Sequence, residues 1–346
     1  MQKIFRMLHR KHSGRTGLAG VLLFLMLIAA VLSAPAVKAE PAPGSEEEAE
    51  LLRQMETEVQ EEAVQEPDGS EEILEGEGML SPSSEQASGS VFGEASSEQM
   101  SEKTDEKMQT MISQLQNSLP SGNGDWAVYV YDLVNQSEGS INEHPMQAAS
   151  LIKLYIMGAV YEVYDSLIAQ YGQDSVDSNL YYMITVSDND CANTLVSYLG
   201  GGDTSAGMNA VNAFCMAHGF TSSSMGRLLL QSNEFGDNYT SVMDCGRFMR
   251  AVYAGNSDEY PHADDMLSLL ASQQRRHKIP SQIPGGVSVA NKTGELSDVE
   301  NDAGIIYNTP NDVVLVFMSE HLADVGAAQS TIGSLSRQIY DYYCQS

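Results

Sequence analysis

Apolar residues recur at helical spacing in two places, one near each end of the folded part of the chain. Met108, Ile112 and Leu115 follow this spacing in the first place, and Ile332 and Ile339 follow it near the C-terminus. Positions three, four or seven residues apart lie on one face of a helix. The pattern therefore predicts an amphipathic helix on each side of the remaining elements.

Strand-forming stretches lie between these two helices, in an early and a late group. β-branched and aromatic residues fill 126–133, and we expect a second strand at 139–142. The late group comprises 286–294, 302–308 and 312–319, and a Thr-Pro-Asn-Asp turn joins its last two members. Tight turns of this kind connect antiparallel strands, so the pattern predicts an antiparallel sheet.

The middle of the chain separates the two groups of strands and is mainly helical. It extends from 149 to about 255, with Gly- and Ser-rich breaks at 199–205 and 218–226. Strands that flank a helical insertion, with helices at both ends, indicate the α+β class. We predict an antiparallel sheet flanked by terminal helices, plus a separate helical lobe.

Charge distinguishes residues 40–103 from the rest of the chain. The 346 residues include 47 Asp and Glu against 18 Lys and Arg, which gives a net charge of −29. Much of the acidic excess falls in 40–103, a segment that is also poor in aromatic residues. Such a composition cannot bury enough apolar surface to offset the cost of ordering the chain. We predict an acidic disordered linker at 40–103 and one folded domain at 104–346.

The first 39 residues have the features of a secretory signal peptide. Basic residues precede an uncharged apolar stretch, and the small residues Val37 and Ala39 stand where an export peptidase prefers them. The alternative is an uncleaved membrane anchor, because 16–37 is long enough to span a bilayer. Both alternatives predict a secreted or cell-surface protein that meets a membrane only through residues 1–39.

Composition also narrows the partners and cofactors. Nucleic-acid binding needs clustered Lys and Arg, and the basic cluster recognised in this sequence lies at the extreme N-terminus, so we expect no nucleic-acid partner. The His and Cys residues show no zinc-ligand spacing, and we expect no metal and no cofactor. Cys191, Cys215, Cys245 and Cys344 permit disulfides in an exported protein, but buried free thiols fit the sequence equally well.

A lysine interrupts the apolar run Ala-Ala-Ser-Leu-Ile-Lys-Leu-Tyr at 148–155. The run predicts a helix that is apolar nearly all round and therefore buried, so the pKa of the Lys153 amine falls. Ser150 lies three residues earlier on the same face, and a neutral amine there can take its proton. Two alternatives stay open: Ser150 caps the helix, or Lys153 extends its amine to water.

The motif Ser-Asp-Asn begins at Ser187. One interpretation makes Ser187 a proton shuttle that faces the nucleophile, with Asn189 offering its amide to a substrate. The other makes Ser187 a helix N-cap with Asp190 in the first helical turn. Taken in isolation, the residues favour the helix cap.

The motif Lys-Thr-Gly lies in the late group of strands. Lys292 and Thr293 end a predicted strand, and Gly294 removes a side chain, which lets a ligand backbone approach the strand edge. The alternative is an ordinary strand end followed by a hairpin turn.

In this order, Ser-x-x-Lys, Ser-Asp-Asn and Lys-Thr-Gly are the trio of penicillin-recognising serine enzymes. The sequence resembles the class A β-lactamase-like family over roughly residues 105–346. The resemblance implies that Ser150 is the acylated nucleophile and that Lys153 activates it. Ser187 would pass a proton to the leaving nitrogen, and the backbone N–H groups of Ser150 and Glu295 would bind the oxyanion.

The resemblance also implies a substrate-binding set. Lys292 and Thr293 would hold a substrate carboxylate, Asn189 would hold a side-chain amide, and Gly294 would leave room beside them. The positive charge of Lys292 would further lower the pKa of Lys153.

One departure from the family concerns the release of the acyl group. The family pattern Arg-x-Glu-x-x-Leu-Asn places a glutamate that activates water. If Arg227 and Asn233 match this pattern, the glutamate position holds Leu229, which cannot activate water. Glu234 or Asp237 could substitute from a rearranged loop.

We therefore expect an exported, monomeric serine hydrolase that forms an acyl-enzyme with a β-lactam or a D-Ala-D-Ala-like amide. Its partner would be a small molecule or a peptidoglycan peptide, and its deacylation would be impaired. The alternatives are a penicillin-binding DD-peptidase or a β-lactam sensor and cell-wall-binding module that stays acylated.

Overall fold

The computed structural model describes residues 94–234 and 236–344. The predicted signal segment at 1–39 and most of the predicted linker at 40–103 lie outside the described residues. The first described helix, α1 (Glu94–Ser118), begins inside the segment predicted as linker. Among the described helices, none combines the length and the apolar composition that crossing a membrane requires.

Five of the seven described strands form one antiparallel sheet. In chain order the strands are β1 (Asp125–Asp132), β2 (Ser137–Ile141), β3 (Met146–Gln147), β4 (Tyr239–Thr240), β5 (Ser288–Leu296), β6 (Val299–Tyr307) and β7 (Val313–Glu320). The large sheet has the order β2-β1-β7-β6-β5, and β3 pairs with β4 in a small separate sheet. Every neighbouring pair is antiparallel, and β5 lies at one edge of the large sheet.

Helices fill the middle of the chain and close its C-terminal end. They are α2 (Ile152–Glu162), α3 (Tyr164–Tyr171), α4 (Gln173–Thr185), α5 (Asn189–Leu199), α6 (Thr204–Ala217), α7 (Val242–Tyr253), α8 (Ala263–Ala271) and α9 (Val325–Tyr343), with short 3₁₀ helices at Ala149–Leu151 and Ile279–Gln282. The predicted α+β arrangement, with terminal helices and a helical lobe, is confirmed.

Strand β1 contributes to two apolar layers, one on each side of the sheet. Trp126, Val128 and Val130 pack in the layer under α1 and α9, whereas Ala127 and Tyr129 pack in the layer under the helical lobe. Successive side chains of a strand point to opposite faces. Because both faces are covered, the strand is apolar or aromatic from Trp126 to Tyr131, between an aspartate at each end.

Helix α2 lies at the centre of the layer under the helical lobe. Every residue from Ile152 to Tyr161 is buried, which confirms the prediction of a helix that is apolar nearly all round. Lys153 is the one charged residue in that run. The packing of α2 therefore determines the surroundings of this amine.

Strand β5 is longer than predicted. It continues through Gly294 to Leu296, and Glu295 pairs with Glu300 next to the turn into β6. The expectation that the strand ends at Thr293 is wrong, because the glycine keeps its place in the β5–β6 ladder.

The cysteines are free thiols. Cys215, Cys245 and Cys344 are buried and Cys191 is half-buried. The sequence left disulfides and free thiols open, and the structure has free thiols.

Helices α5 and α6 approach each other closely at Gly207. A Cβ atom on Gly207 would overlap the backbone carbonyl oxygen of Val196 in α5, so only glycine allows this approach. Helix α5 begins at Asn189, and the contact therefore helps to position the Ser-Asp-Asn motif.

We expect Gly207→Ala to lower the free energy of unfolding by about 1–3 kcal/mol, because the added methyl group must push α6 away from a backbone atom. Urea unfolding measures the change. Gly326→Ala is the matched control, since Gly326 is also helical and its Cβ would meet only Asp324 Oδ1 at 3.4 Å. Equal destabilisation by the two substitutions would contradict the packing explanation.

Candidate active site

Ser150 lies in a strained turn that leads into α2. The preceding residue, Ala149, has a φ of 46°, in a left-handed region that residues other than glycine rarely occupy. Such strain persists where the surrounding structure enforces it, often at functional sites. Neither the 3₁₀ turn nor α2 has a side-chain N-cap, so the alternative in which Ser150 caps the helix is wrong.

Lys153 is completely buried. Its Nζ donates hydrogen bonds to Ser187 O at 2.7 Å, to Asn189 Oδ1 at 2.7 Å and to Ser187 Oγ at 3.1 Å. Burial lowers the pKa of Lys153 to about 7; the charge of Asp188 opposes this change and that of Arg275 adds to it. The amine does not extend to water, and a substantial fraction of it is neutral at neutral pH.

Ser187 lies between two lysines. It connects α4 to α5 with a φ of 62°, and its Oγ accepts hydrogen bonds from Lys153 Nζ at 3.1 Å and from Lys292 Nζ at 2.9 Å. The N-cap of α5 is Asp188, whose carboxylate accepts from the backbone N–H of Cys191. The alternative in which Ser187 caps this helix is therefore wrong.

Lys292 reaches Ser187 from β5. Its Nζ also donates to Thr293 O at 2.7 Å, and the side chain is completely buried. Its pKa falls well below the usual value, first through burial and then through repulsion by Lys153 and other cations. The two amines share the hydroxyl group of Ser187, and the charge of Lys153 is one cause of the lowered pKa of Lys292.

Gly294 makes room for the turn that carries Ser150. A Cβ atom on Gly294 would lie 2.8 Å from Ala148 O and 3.2 Å from the backbone nitrogens of Ser150 and Leu151. The protein itself therefore fills the space that the missing side chain leaves, and the expectation that a ligand backbone would use it is wrong. The contact places the Lys-Thr-Gly segment directly against the turn of Ser150.

The hydroxyl group of Ser150 is half-buried and has no hydrogen-bond partner within residues 94–234 and 236–344. In particular, no hydrogen bond joins it to Lys153, whose donors go to Ser187 and Asn189. The three motifs nevertheless converge, since the Ser150 turn contacts Gly294 and both lysines reach Ser187.

The loop that carries Leu229 is held at its base and at its middle. Arg227 Nε lies 2.8 Å from Asp237 Oδ1 and closes the base. Asn193 of α5 donates to Leu229 O at 3.0 Å and accepts from Leu229 N at 2.9 Å. These contacts fix the backbone of Leu229, whose side chain is 7% exposed.

Neither acid that was considered as a substitute for the missing glutamate contacts Ser150. Asp237 is paired with Arg227, and Glu234 is exposed. In the described part of the chain, neither carboxylate has a hydrogen bond to Ser150 or Lys153.

Comparison with known proteins identifies the family of this chain. A model of the beta-lactamase enzyme family matches residues 110–171 and 169–343, more than half of the 346-residue chain. The chain belongs to the β-lactamase enzyme family. The prediction of a serine hydrolase of the β-lactamase or penicillin-binding type is confirmed at this level. Among curated proteins, no match was found.

Solved structures share the fold of this β-lactamase family member. A β-lactamase from Sphaerobacter thermophilus is 22% identical with a TM-score of 0.56, over 68% of this chain and 96% of that one. PBP-A is 22% identical with a TM-score of 0.57, over 68% and 95%. The TLA-1 extended-spectrum β-lactamase is 17% identical with a TM-score of 0.58, over 68% and 99%. A leucine-to-glutamate variant of PBP-A has been solved as an acyl-enzyme complex with penicillin G.

A cluster of charged side chains beside β5 was missed in the sequence. The carboxylate of Glu295 lies 3.0 Å from Arg275, 3.1 Å from His277 and 3.2 Å from Lys278. Lys278 Nζ also lies 2.7 Å from Glu300 Oε2. The run Arg-Arg-His-Lys at 275–278 was a visible signal, because it is a second basic cluster in an acidic chain.

Three members of this cluster have donor atoms at a spacing that could hold a metal ion. The atoms of His277, Glu295 and Glu300 all lie within 4.8 Å of one another. The ammonium group of Lys278 already lies within ion-pair distance of both carboxylates. Because the charge of Lys278 already compensates these carboxylates, a metal ion is not required to neutralise them.

The lowered pKa of Lys153 makes a prediction about stability. The pKa of an unfolded lysine is roughly 10.4, so above about pH 7 the unfolded state binds a proton that the folded state lacks. The contribution of this group to stability therefore rises with pH between these two values and is constant outside them. In urea titrations, the free energy of unfolding of the wild type should rise more steeply than that of Lys153→Met, by up to about 1.4 kcal/mol per pH unit.

Lys107→Met is the control for this measurement. Lys107 lies on α1, against the rings of Tyr342 and Tyr343, and its removal should preserve the wild-type slope. Equal slopes for the wild type and Lys153→Met would show that Lys153 titrates normally.

Proposed function

We propose that this protein is an exported serine hydrolase that is acylated on Ser150 by β-lactams or by D-Ala-D-Ala-like amides, and that releases the acyl group slowly. The observation that carries the proposal is the buried amine of Lys153, which has a pKa of about 7 and is joined to Ser187 and Asn189 three residues after the nucleophile.

The first step uses the lone pair of a neutral Lys153. A neutral amine has two N–H groups, which serve the carbonyl oxygens of Ser187 and Asn189. When the 3.1 Å contact with Ser187 Oγ is given up, the lone pair can accept the proton of Ser150. As Ser150 Oγ bonds to the carbonyl carbon of the substrate, its proton moves to this amine. The uncatalysed alternative, attack by a neutral hydroxyl group, lacks a base.

The second step breaks the carbon–nitrogen bond of the substrate. The negative charge on the tetrahedral oxygen is bound by the backbone N–H groups of Ser150 and Glu295, and each such donor lowers the barrier by about 3–4 kcal/mol. The contact between Gly294 and the Ser150 turn supports this role, because it brings the two backbone segments together. The oxygen then re-forms the carbonyl group and the nitrogen departs.

The departing nitrogen takes its proton from Ser187. Ser187 recovers a proton from the ammonium group of Lys153, 3.1 Å away. Lys292, which donates to the same hydroxyl group, keeps its oxygen oriented between the two amines. The proton of Ser150 thus ends on the leaving group, and both lysines return to their starting states.

Slow release of the acyl group follows from Leu229, the residue of the 227–237 loop that is bonded to α5. Leu229 has no group that can take a proton from water, and its backbone is held by Asn193. Asp237 is occupied by Arg227. A long-lived acyl-enzyme suits a penicillin-binding peptidase or a β-lactam sensor at the cell surface better than an efficient β-lactamase.

Labelling with a fluorescent penicillin tests the proposal. Wild-type protein should acquire covalent label that persists after free penicillin is removed, and Ser150→Ala should acquire none. Ser297→Ala is the control, because Ser297 is exposed and its hydroxyl contacts only Asp298. Label that decays rapidly would contradict slow release, and label retained by Ser150→Ala would contradict the nucleophile.

The loop makes a second prediction. Leu229→Glu should increase the rate constant for loss of label by about 10²-fold, because a carboxylate at this position can serve as general base for water. The glutamine of Leu229→Gln has the same shape as glutamate but cannot take a proton from water. This variant should therefore release label at the wild-type rate. Thermal unfolding of both variants checks that the buried site tolerates a polar side chain. Equal release rates for the Glu and Gln variants would remove the proposed cause of slow deacylation.

A further inference from the structure

The face of β5 that carries Thr293 is rich in acids. Residues two apart on a strand share a face, and so do residues directly opposite each other in an antiparallel pair. Glu295 is two residues from Thr293, and the register places Asp302 opposite Thr293 and Glu300 opposite Glu295. The threonine expected to bind a substrate carboxylate therefore shares its face with three carboxyl groups.

The cations near this face are already paired. Glu295 contacts Arg275, His277 and Lys278 at 3.0–3.2 Å. Lys278 is completely buried and is held in addition by Glu300 at 2.7 Å. Although burial raises the pKa of Glu295, the neighbouring cations outweigh it and hold this pKa below its usual value. Glu295 is therefore a stable anion within the cluster.

Lys292 does not supply an additional free cation. Its Nζ donates to Ser187 Oγ and to Thr293 O, and burial lowers its pKa. Asp302 lies opposite Thr293 and is completely buried, which raises its pKa to about 7. Among the described residues, Arg276 has no ion pair with a carboxylate, but its Nη1 donates to Val289 O on the same strand, four residues before Thr293. An anion beside Thr293 thus meets cations that are already bound to other groups.

The side chain of Glu295 is partly exposed and is held by an exposed arginine. Its side chain is 26% exposed, and that of its partner Arg275 is 44% exposed. Arg275 also donates from Nε to the carbonyl oxygen of Val186, the residue before Ser187. The guanidinium group therefore bridges the residue before the Ser-Asp-Asn motif and the Glu295 carboxylate at the end of β5.

We propose that Glu295 determines specificity by occupying the cations that a substrate carboxylate would need, so that the site selects acyl donors that are uncharged at this position. Such donors are amides, esters or peptides that continue past the position. An anionic donor must displace Glu295 from Arg275 or lie beside it, and like charges in a partly buried site repel strongly. The inference rests on the proposed function, because it takes acylation of Ser150 as given.

The test compares one penicillin as the free carboxylate and as its uncharged methyl ester. The second-order rate constant for acylation of Ser150 is followed by intact-protein mass spectrometry. The wild type should react faster with the ester. Glu295→Gln should raise the ratio of the carboxylate rate constant to the ester rate constant by about tenfold or more, because it removes the like charge.

Two further variants separate this effect from changes in fold or in net charge. Glu138→Gln changes the net charge by the same amount. Glu138 lies on β2, at the edge of the sheet opposite β5, and its carboxylate contacts Arg250 and Tyr129. The ratio of the two acylation rate constants should therefore stay at the wild-type value. Arg275→Gln removes the guanidinium partner of Glu295 and leaves its charge less compensated, so it should lower the ratio. Thermal unfolding of each variant confirms that the site is folded.

The outcomes distinguish the two claims. An unchanged ratio in Glu295→Gln, or a wild type that prefers the carboxylate, overturns the specificity inference and leaves the acyl-enzyme in place. If neither form of penicillin adds to Ser150 in any variant, the proposed function fails and the inference fails with it.

Discussion

The burial of one amine is the constraint on which the site depends. Lys153 lies in the buried run Ile152–Tyr161 of its helix, so its hydrogen-bond partners must come from elsewhere in the fold. They come from the segment between α4 and α5, where Ser187 and Asn189 supply three acceptors. The hydroxyl of Ser187 then reaches Lys292 on β5. A single desolvated group thus fixes the relative positions of the helical lobe and the edge of the sheet.

The same region contains backbone conformations that the rest of the structure must hold in place. Ala149 and Ser187 both have positive φ, which costs on the order of 1–3 kcal/mol at each residue. Gly294 packs against the turn that Ala149 enters, and Asp188 caps the helix that Ser187 precedes. Each strained residue is therefore next to a contact that holds its backbone in place. The strain occurs beside Ser150 and at Ser187, whose hydroxyl groups need a defined orientation.

Much of this architecture was predictable from the spacing of apolar residues and from three short motifs. The helical lobe, the antiparallel strands and the buried position of Lys153 follow from periodicity, which depends on local sequence. The cap at Asp188 was assigned to Ser187, because both residue types cap helices and only the backbone direction separates them. The ion pairs of Glu295 were missed, since they depend on how the 275–278 run meets β5 in space. The role of Asn193 was missed for the same reason.

The loop between Arg227 and Asp237 has a consequence for how this enzyme family can diversify. Its two ends are tied to each other by an ion pair, and its middle is attached to α5 through one asparagine side chain. The groups that we propose to form the covalent adduct lie on other segments. Residues in this loop can therefore change without displacing Ser150. The same fold could thus give either an enzyme that releases its acyl group or a protein that remains acylated.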